Sequence, residues 1–129
     1  PAIKGFSLMG LTSEDSTQAI LNLDIALVLF QLKKPFSEGW KNDFAAIYNW
    51  AMQKNIPVYL STSTKKGAED LVVKTAFQNI PIFTTDVTVI RTASRTPLAL
   101  YYLQKGTIIE KWSNARFGKA LHYLKQKHP

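Results

Sequence analysis

The chain has 129 residues, 46% of them hydrophobic and 19% charged, with a formal net charge of +7. Those figures fit one globular domain and exclude intrinsic disorder, because the apolar content is enough to offset the entropy of ordering the chain. The absence of cysteine excludes disulfides, thiolate metal sites, a cysteine nucleophile and dithiol exchange by this chain.

The chain opens on Pro1 rather than Met, which reads as a piece or processed form of a longer product. Residues 1–23 are the least regular stretch and read as an N-terminal extension to a core at 24–129. No signal peptide is visible, and the longest apolar run, 25–30, is far too short to span a membrane. That run is continuous and apolar, as expected of a strand buried on both faces of a mostly parallel sheet. A loop with a Pro breaker follows at 31–37.

A helix is predicted over 38–54, with Trp40, Phe44, Ile47, Tyr48 and Ala51 on one face and Ser37 as its cap. It ends in Asn55-Ile56-Pro57, where Asn suits the left-handed position and Pro stops the helix. A second buried strand is predicted at 58–61, then a polar loop at 61–66 and a helix at 67–78. Asn79-Ile80-Pro81 repeats the earlier ending and leads into a short strand at 82–84. Two helix-to-strand joints of one design argue for βαβ units.

A short helix over 86–93 is predicted with Asp86 as its cap, ended by Ser94-Arg95-Thr96-Pro97. Strands at 98–103 and 107–112 flank Gln104-Lys105-Gly106, whose Gly suits a tight hairpin turn. Ser113 or Asn114 caps a last helix with Phe117, Ala120, Leu121 and Leu124 on one face. The early strands are expected to be parallel and the hairpin antiparallel, with helices on both faces.

Other constellations carry little chemistry. His122 and His128 are the only histidines, and no second ligand sits one turn from His122, so no metal site and no cofactor is expected. Glu14-Asp15 and Glu69-Asp70 read as turn and helix-start carboxylates rather than a catalytic pair. No glycine-rich nucleotide loop and no nucleophile elbow is present. From Lys111 onward the chain carries Lys111, Arg116, Lys119, Lys125 and Lys127 and no acid. That face is solvating or attracts anions, including acidic lipid headgroups. No RNP-like or zinc-finger pattern accompanies it, so nucleic acid is not an expected partner.

The element order, together with Thr96-Pro97 before the hairpin and last helix, resembles the thioredoxin-like superfamily. The resemblance implies a three-layer α/β/α sandwich: a mixed central sheet with a C-terminal β-hairpin and helix. In that family the Pro is cis, and its loop lies beside the dithiol loop and holds extended substrate segments. The matching dithiol region here is Lys33-Lys34-Pro35-Phe36-Ser37-Glu38-Gly39-Trp40, without either cysteine. The resemblance thus implies a cis Thr96–Pro97 bond and a partner groove at Arg95, Thr96, Pro97, Lys33, Lys34, Phe36 and Trp40. The readings without a groove are a trans Pro opening a strand, and Trp40 packed in the core beside Phe44.

A narrower resemblance rests on Ile3-Lys4-Gly5-Phe6-Ser7, Ser13-Glu14-Asp15-Ser16-Thr17 and Ile20-Leu21, and on Ile82-Phe83-Thr84-Thr85-Asp86 running into Arg91-Thr92-Ala93-Ser94-Arg95-Thr96-Pro97. These strings are similar to the thioredoxin-like tails of DoxX/MauE-type membrane proteins of Bacteroidetes. That implies a membrane-associated protein whose transmembrane region precedes this domain. The implied function is non-catalytic binding of a protein or extended peptide in a redox or electron-transfer assembly. Two alternatives stay open: a structural or membrane-surface anchor without a groove, and a substrate-positioning part of an oxidoreductase whose cysteines lie elsewhere.

Overall fold

The computed structural model describes residues 24–84, 88, 90–91, 94 and 96–128. The expected extension at 1–23 and Arg95 lie outside the described residues, as does most of the helix expected over 86–93. Among the described residues, five strands form one mixed sheet in the order β3-β2-β1-β4-β5. They are β1 (Ile25–Gln31), β2 (Val58–Thr62), β3 (Ile82–Thr84), β4 (Leu98–Gln104) and β5 (Thr107–Ser113). The helices are α1 (Gly39–Gln53), α2 (Lys65–Val72) and α3 (Phe117–Lys127), the last entered through a 3-10 turn at Asn114–Arg116.

β1 pairs parallel with β2, and β2 with β3, whereas β1–β4 and β4–β5 are antiparallel. The period of two along each strand divides the core. Leu27, Leu29, Leu98, Leu100 and Tyr102 face one side, with α1, α2 and α3 over them. Ala26, Val28, Phe30, Ala99, Tyr101 and Leu103 face the other, packed with Ile90. Thr88, Ile90 and Arg91 have helical backbone there. This accounts for the unbroken apolar run of β1: both of its faces are covered.

The joints differ in detail from the sequence expectation. Asn55 is left-handed (φ 59°), as its position after α1 requires. At the second joint the left-handed residue is Lys74 (φ 60°), not Asn79, so α2 stops at Val72. The turn beyond it is held by Thr75 Oγ1 donating to the Val72 carbonyl and by Gln78 Oε1 accepting from Lys74 N at 3.3 Å. α2 also starts earlier than expected, because Thr64 is the cap and its Oγ1 accepts from Gly67 N at 3.2 Å. α1 begins after Glu38 with no side-chain cap bond, so Ser37 does not cap it. In the hairpin, Lys105 (φ 49°) and Gly106 (φ 81°) are both left-handed, which matches the twist of paired strands.

The Thr96–Pro97 bond is trans, which corrects the cis expectation. Trans is the intrinsic preference of an X–Pro bond, and the local hydrogen bonds fit it. Ser94 Oγ donates to Thr96 O and Thr96 Oγ1 donates to Leu98 O, each at 2.6 Å. Pro97 lies just ahead of β4, where a missing N–H costs little. Its carbonyl continues the β1–β4 ladder by one step, accepting from Leu32 N at 2.8 Å.

Candidate functional site

The loop between β1 and α1 leaves the carboxyl edge of the sheet. Leu32 and Lys33 are pinned at its base, since the Lys33 N–H also donates to Pro97 O at 3.3 Å. Pro35 is buried and anchors the middle. Lys33, Lys34, Phe36, Ser37 and Glu38 are then thrust outward, and Phe36 is fully exposed at 101%. A free phenyl ring between cations and a helix start is costly to leave in water. It is one of four large exposed hydrophobic side chains among the described residues, with Met52, Val73 and Ile109.

Beside this loop runs an open cleft of about 280 Å³. Gln31, Lys33 and Lys34 form one wall, and Ser63, Thr64 and Gly67 form the other. The two walls are about thirty residues apart in sequence, and the parallel pairing of β1 with β2, ending at Gln31↔Thr62, brings them together. Thr62 Oγ1 donates to Thr64 O at 3.2 Å and accepts from Thr64 N at 3.4 Å, which shapes the turn into α2. Gln31 is only 6% exposed, and its Nε2 donates to Gly67 O across the cleft floor at 3.4 Å.

The residues expected to form one groove separate. Lys33, Lys34 and Phe36 share the outer loop, and Pro97, half-buried with Thr96, touches the base of that loop. Trp40 turns inward and is 3% exposed, its ring 5.9 Å from Phe77, so it belongs to the core and not to a partner surface. Strand addition at Pro97 has no free backbone there. Pro97 lacks an N–H, its carbonyl serves Leu32 and Lys33, and β4 is flanked by β1 and β5. Gln31, Ser63, Thr64 and Gly67 were not among the expected site residues. The signal for them was the hydroxyl-rich Ser61-Thr62-Ser63-Thr64 between a strand and a helix.

Electrostatically the loop is cationic with one internal offset. The Glu38 carboxyl is held below its ordinary value by a hydrogen bond from Lys41 Nζ at 2.5 Å, slight desolvation opposing. The charges of Lys41 and Lys34 add to that lowering. No such carboxylate bond is formed by Lys33 or Lys34 among the described residues. The histidines lie elsewhere: His128 meets Tyr102 Oη at 2.9 Å through Nε2, and its ring is 5.9 Å from Trp50. No group of three or more His, Asp or Glu able to hold a metal occurs among the described residues.

Burial raises the hydroxyl pKa of Tyr59, Tyr101 and Tyr102 above the ordinary 10.0, with Tyr123 adding to the effect on Tyr102. A tyrosine whose folded pKa is raised keeps its proton longer in the native state. Its stabilising contribution is complete below the unfolded value and is lost as pH climbs through the folded one. Urea denaturation is therefore expected to show lower stability at about pH 11 than at about pH 9. Equal stability at both would contradict the burial of these hydroxyls.

No protein-family model matches the chain, and no curated protein sequence matches it. Solved structures do. Peroxiredoxin Q of Xanthomonas campestris is 12% identical, with a TM-score of 0.60 over 98% of this chain and 99% of that one. Tryparedoxin II, solved with glutathionylspermidine, is 16% identical, with a TM-score of 0.57 over 98% of each chain. Thioredoxin f2 of Chlamydomonas reinhardtii is 11% identical, with a TM-score of 0.54 over 89% of this chain and 92% of that one. At such identities the likeness shows the fold, and the fold is thioredoxin-like.

Proposed function

We propose that this thioredoxin-like domain is a binding module that captures a protein partner through its β1–α1 loop and performs no thiol–disulfide exchange with its own residues. Exchange requires a sulfur nucleophile, and the chain holds no cysteine. The observation that carries the binding reading is the exposed Phe36 beside Lys33 and Lys34, projected from a base pinned to Pro97. A rigidly supported aromatic flanked by cations is the composition of an interface anchor with a charged rim. The partner chemistry that fits is an extended acidic segment with apolar residues interspersed. Its setting follows from the resemblance to DoxX-type tails. There the domain is the soluble part of a membrane protein in a redox or electron-transfer assembly. Among the described residues no helix is long and apolar enough to cross a membrane, so that role needs a membrane region outside this stretch.

The reading is tested by fluorescence anisotropy with a labelled peptide of alternating Leu and Glu. Binding that weakens as salt rises, and that is absent for the Leu-Lys counterpart, is expected. Equal binding of both peptides, or of neither, would overturn it.

A further inference from the structure

We infer that the cleft between the β1–α1 and β2–α2 loops is a pocket for one acidic side chain of the bound segment, with Gln31 receiving the segment's backbone N–H. The inference rests on the binding reading above and adds the site at which the acid lodges.

The cationic wall is Lys33 and Lys34. Opposite them stands the start of α2. Of its first N–H groups, that of Gly67 goes to Thr64 Oγ1 and that of Ala68 to Thr64 O. Those of Lys65 and Lys66, which meet no acceptor among the described residues, remain for a ligand, at the positive end of the helix. The Ser63 side chain adds a hydroxyl on the same wall. A cleft of about 280 Å³ takes one carboxylate side chain with its stem.

A helix start and two lysines would suit any oxyanion. Gln31 narrows the choice. Its side chain lines the cleft, is more than nine-tenths buried, and its Oε1 has no hydrogen-bond partner among the described residues. Such an acceptor calls for a donor, because leaving it unmade forfeits its hydration. The Oε1 atom sits sealed in the floor, so the side chain must rotate to present it. That rotation gives up the Nε2–Gly67 bond, which at 3.4 Å is near the long limit. A fully ionised inorganic anion offers acceptors alone. A peptide offers an N–H beside each acidic side chain, which answers both walls. Asp70, which also lines the cleft, opposes any anion there, and a doubly charged phosphate more than a singly charged carboxylate.

The test is a heteronuclear NMR titration of the intact chain with three probes: the capped Leu-Glu peptide, its capped Leu-Gln isostere, and inorganic phosphate. The Leu-Glu peptide is expected to shift the Lys65 and Lys66 amides and the Gln31 side-chain amide, and the other two probes are expected not to. Gln31→Met keeps the side-chain length and removes the acceptor. It is expected to weaken the Leu-Glu peptide about fivefold while leaving urea stability unreduced. Shifts confined to the amides of the Lys33–Phe36 loop would overturn the pocket and leave the binding reading standing. Equal shifts with phosphate would overturn the assignment of an acidic peptide side chain. No shift with any probe would overturn both readings.

Discussion

Phe44→Ala is expected to cost about 3–5 kcal/mol of folding stability, a large share of what a domain of this size possesses. Phe44 is fully buried, on the inner face of α1. Its ring packs edge-on against Phe77 at 4.8 Å and tilted against Phe117 at 5.9 Å. It therefore ties α1 to the segment after α2 and to the first turn of α3. Truncation removes the transfer energy of the ring and leaves a cavity that three separate elements would have to collapse to fill. A urea midpoint shift worth less than about 1 kcal/mol would show that the site relaxes. It would also show that this cluster does not tie α1 to the segment after α2 and to α3.

Phe36→Ala is expected to act the opposite way. The ring is fully exposed, so its loss should leave stability within about 0.5 kcal/mol of the parent. Binding of the Leu-Glu peptide should fall about tenfold, the effect of removing an aromatic anchor worth more than 1 kcal/mol. The same substitution thus separates the binding surface from the fold. A loss of stability with binding intact would contradict the account. Phe36 would then be a packing residue and not a contact.

The contrast between these two phenylalanines shows what was legible in the chain. Phe44 belongs to a helical apolar stripe, and periodicity assigns it to the core. The same stripe contains Trp40, and its burial follows that period rather than the groove that the resemblance implies. Phe36 lies in a loop, where no period applies and its exposure depends on the backbone. The buried Pro35 beside it and the bonds from Leu32 and Lys33 to Pro97 set that path.

The βαβ layout could be read because two joints carried Asn-Ile-Pro after an amphipathic helix. The left-handed residue differed between them: Asn55 at the first, Lys74 at the second. Side-chain bonds of Thr75 and Gln78 close the second turn early, and local composition does not reveal such bonds. The isomer of Thr96–Pro97 was likewise beyond the sequence. A resemblance pointed to cis, whereas the hydroxyls of Ser94 and Thr96 and the extended ladder accompany trans.

The cleft was the least legible feature. Its walls meet only because β1 and β2 pair in a register that ends Gln31 beside Thr62. Each wall alone looks ordinary: a basic loop on one side, a capped helix start on the other. Gln31 reads as the first residue of a polar loop until its place at the end of β1 and its burial are known.

The most direct measurement is peptide affinity of the double variant Lys33→Glu, Lys34→Glu against the parent, at low and moderate salt. The account predicts that reversal weakens the Leu-Glu peptide at least tenfold and abolishes the salt dependence of what remains. It also predicts an unchanged thermal midpoint, because both lysines are exposed. Affinity equal to the parent at low salt would contradict the claim that this loop is the partner surface.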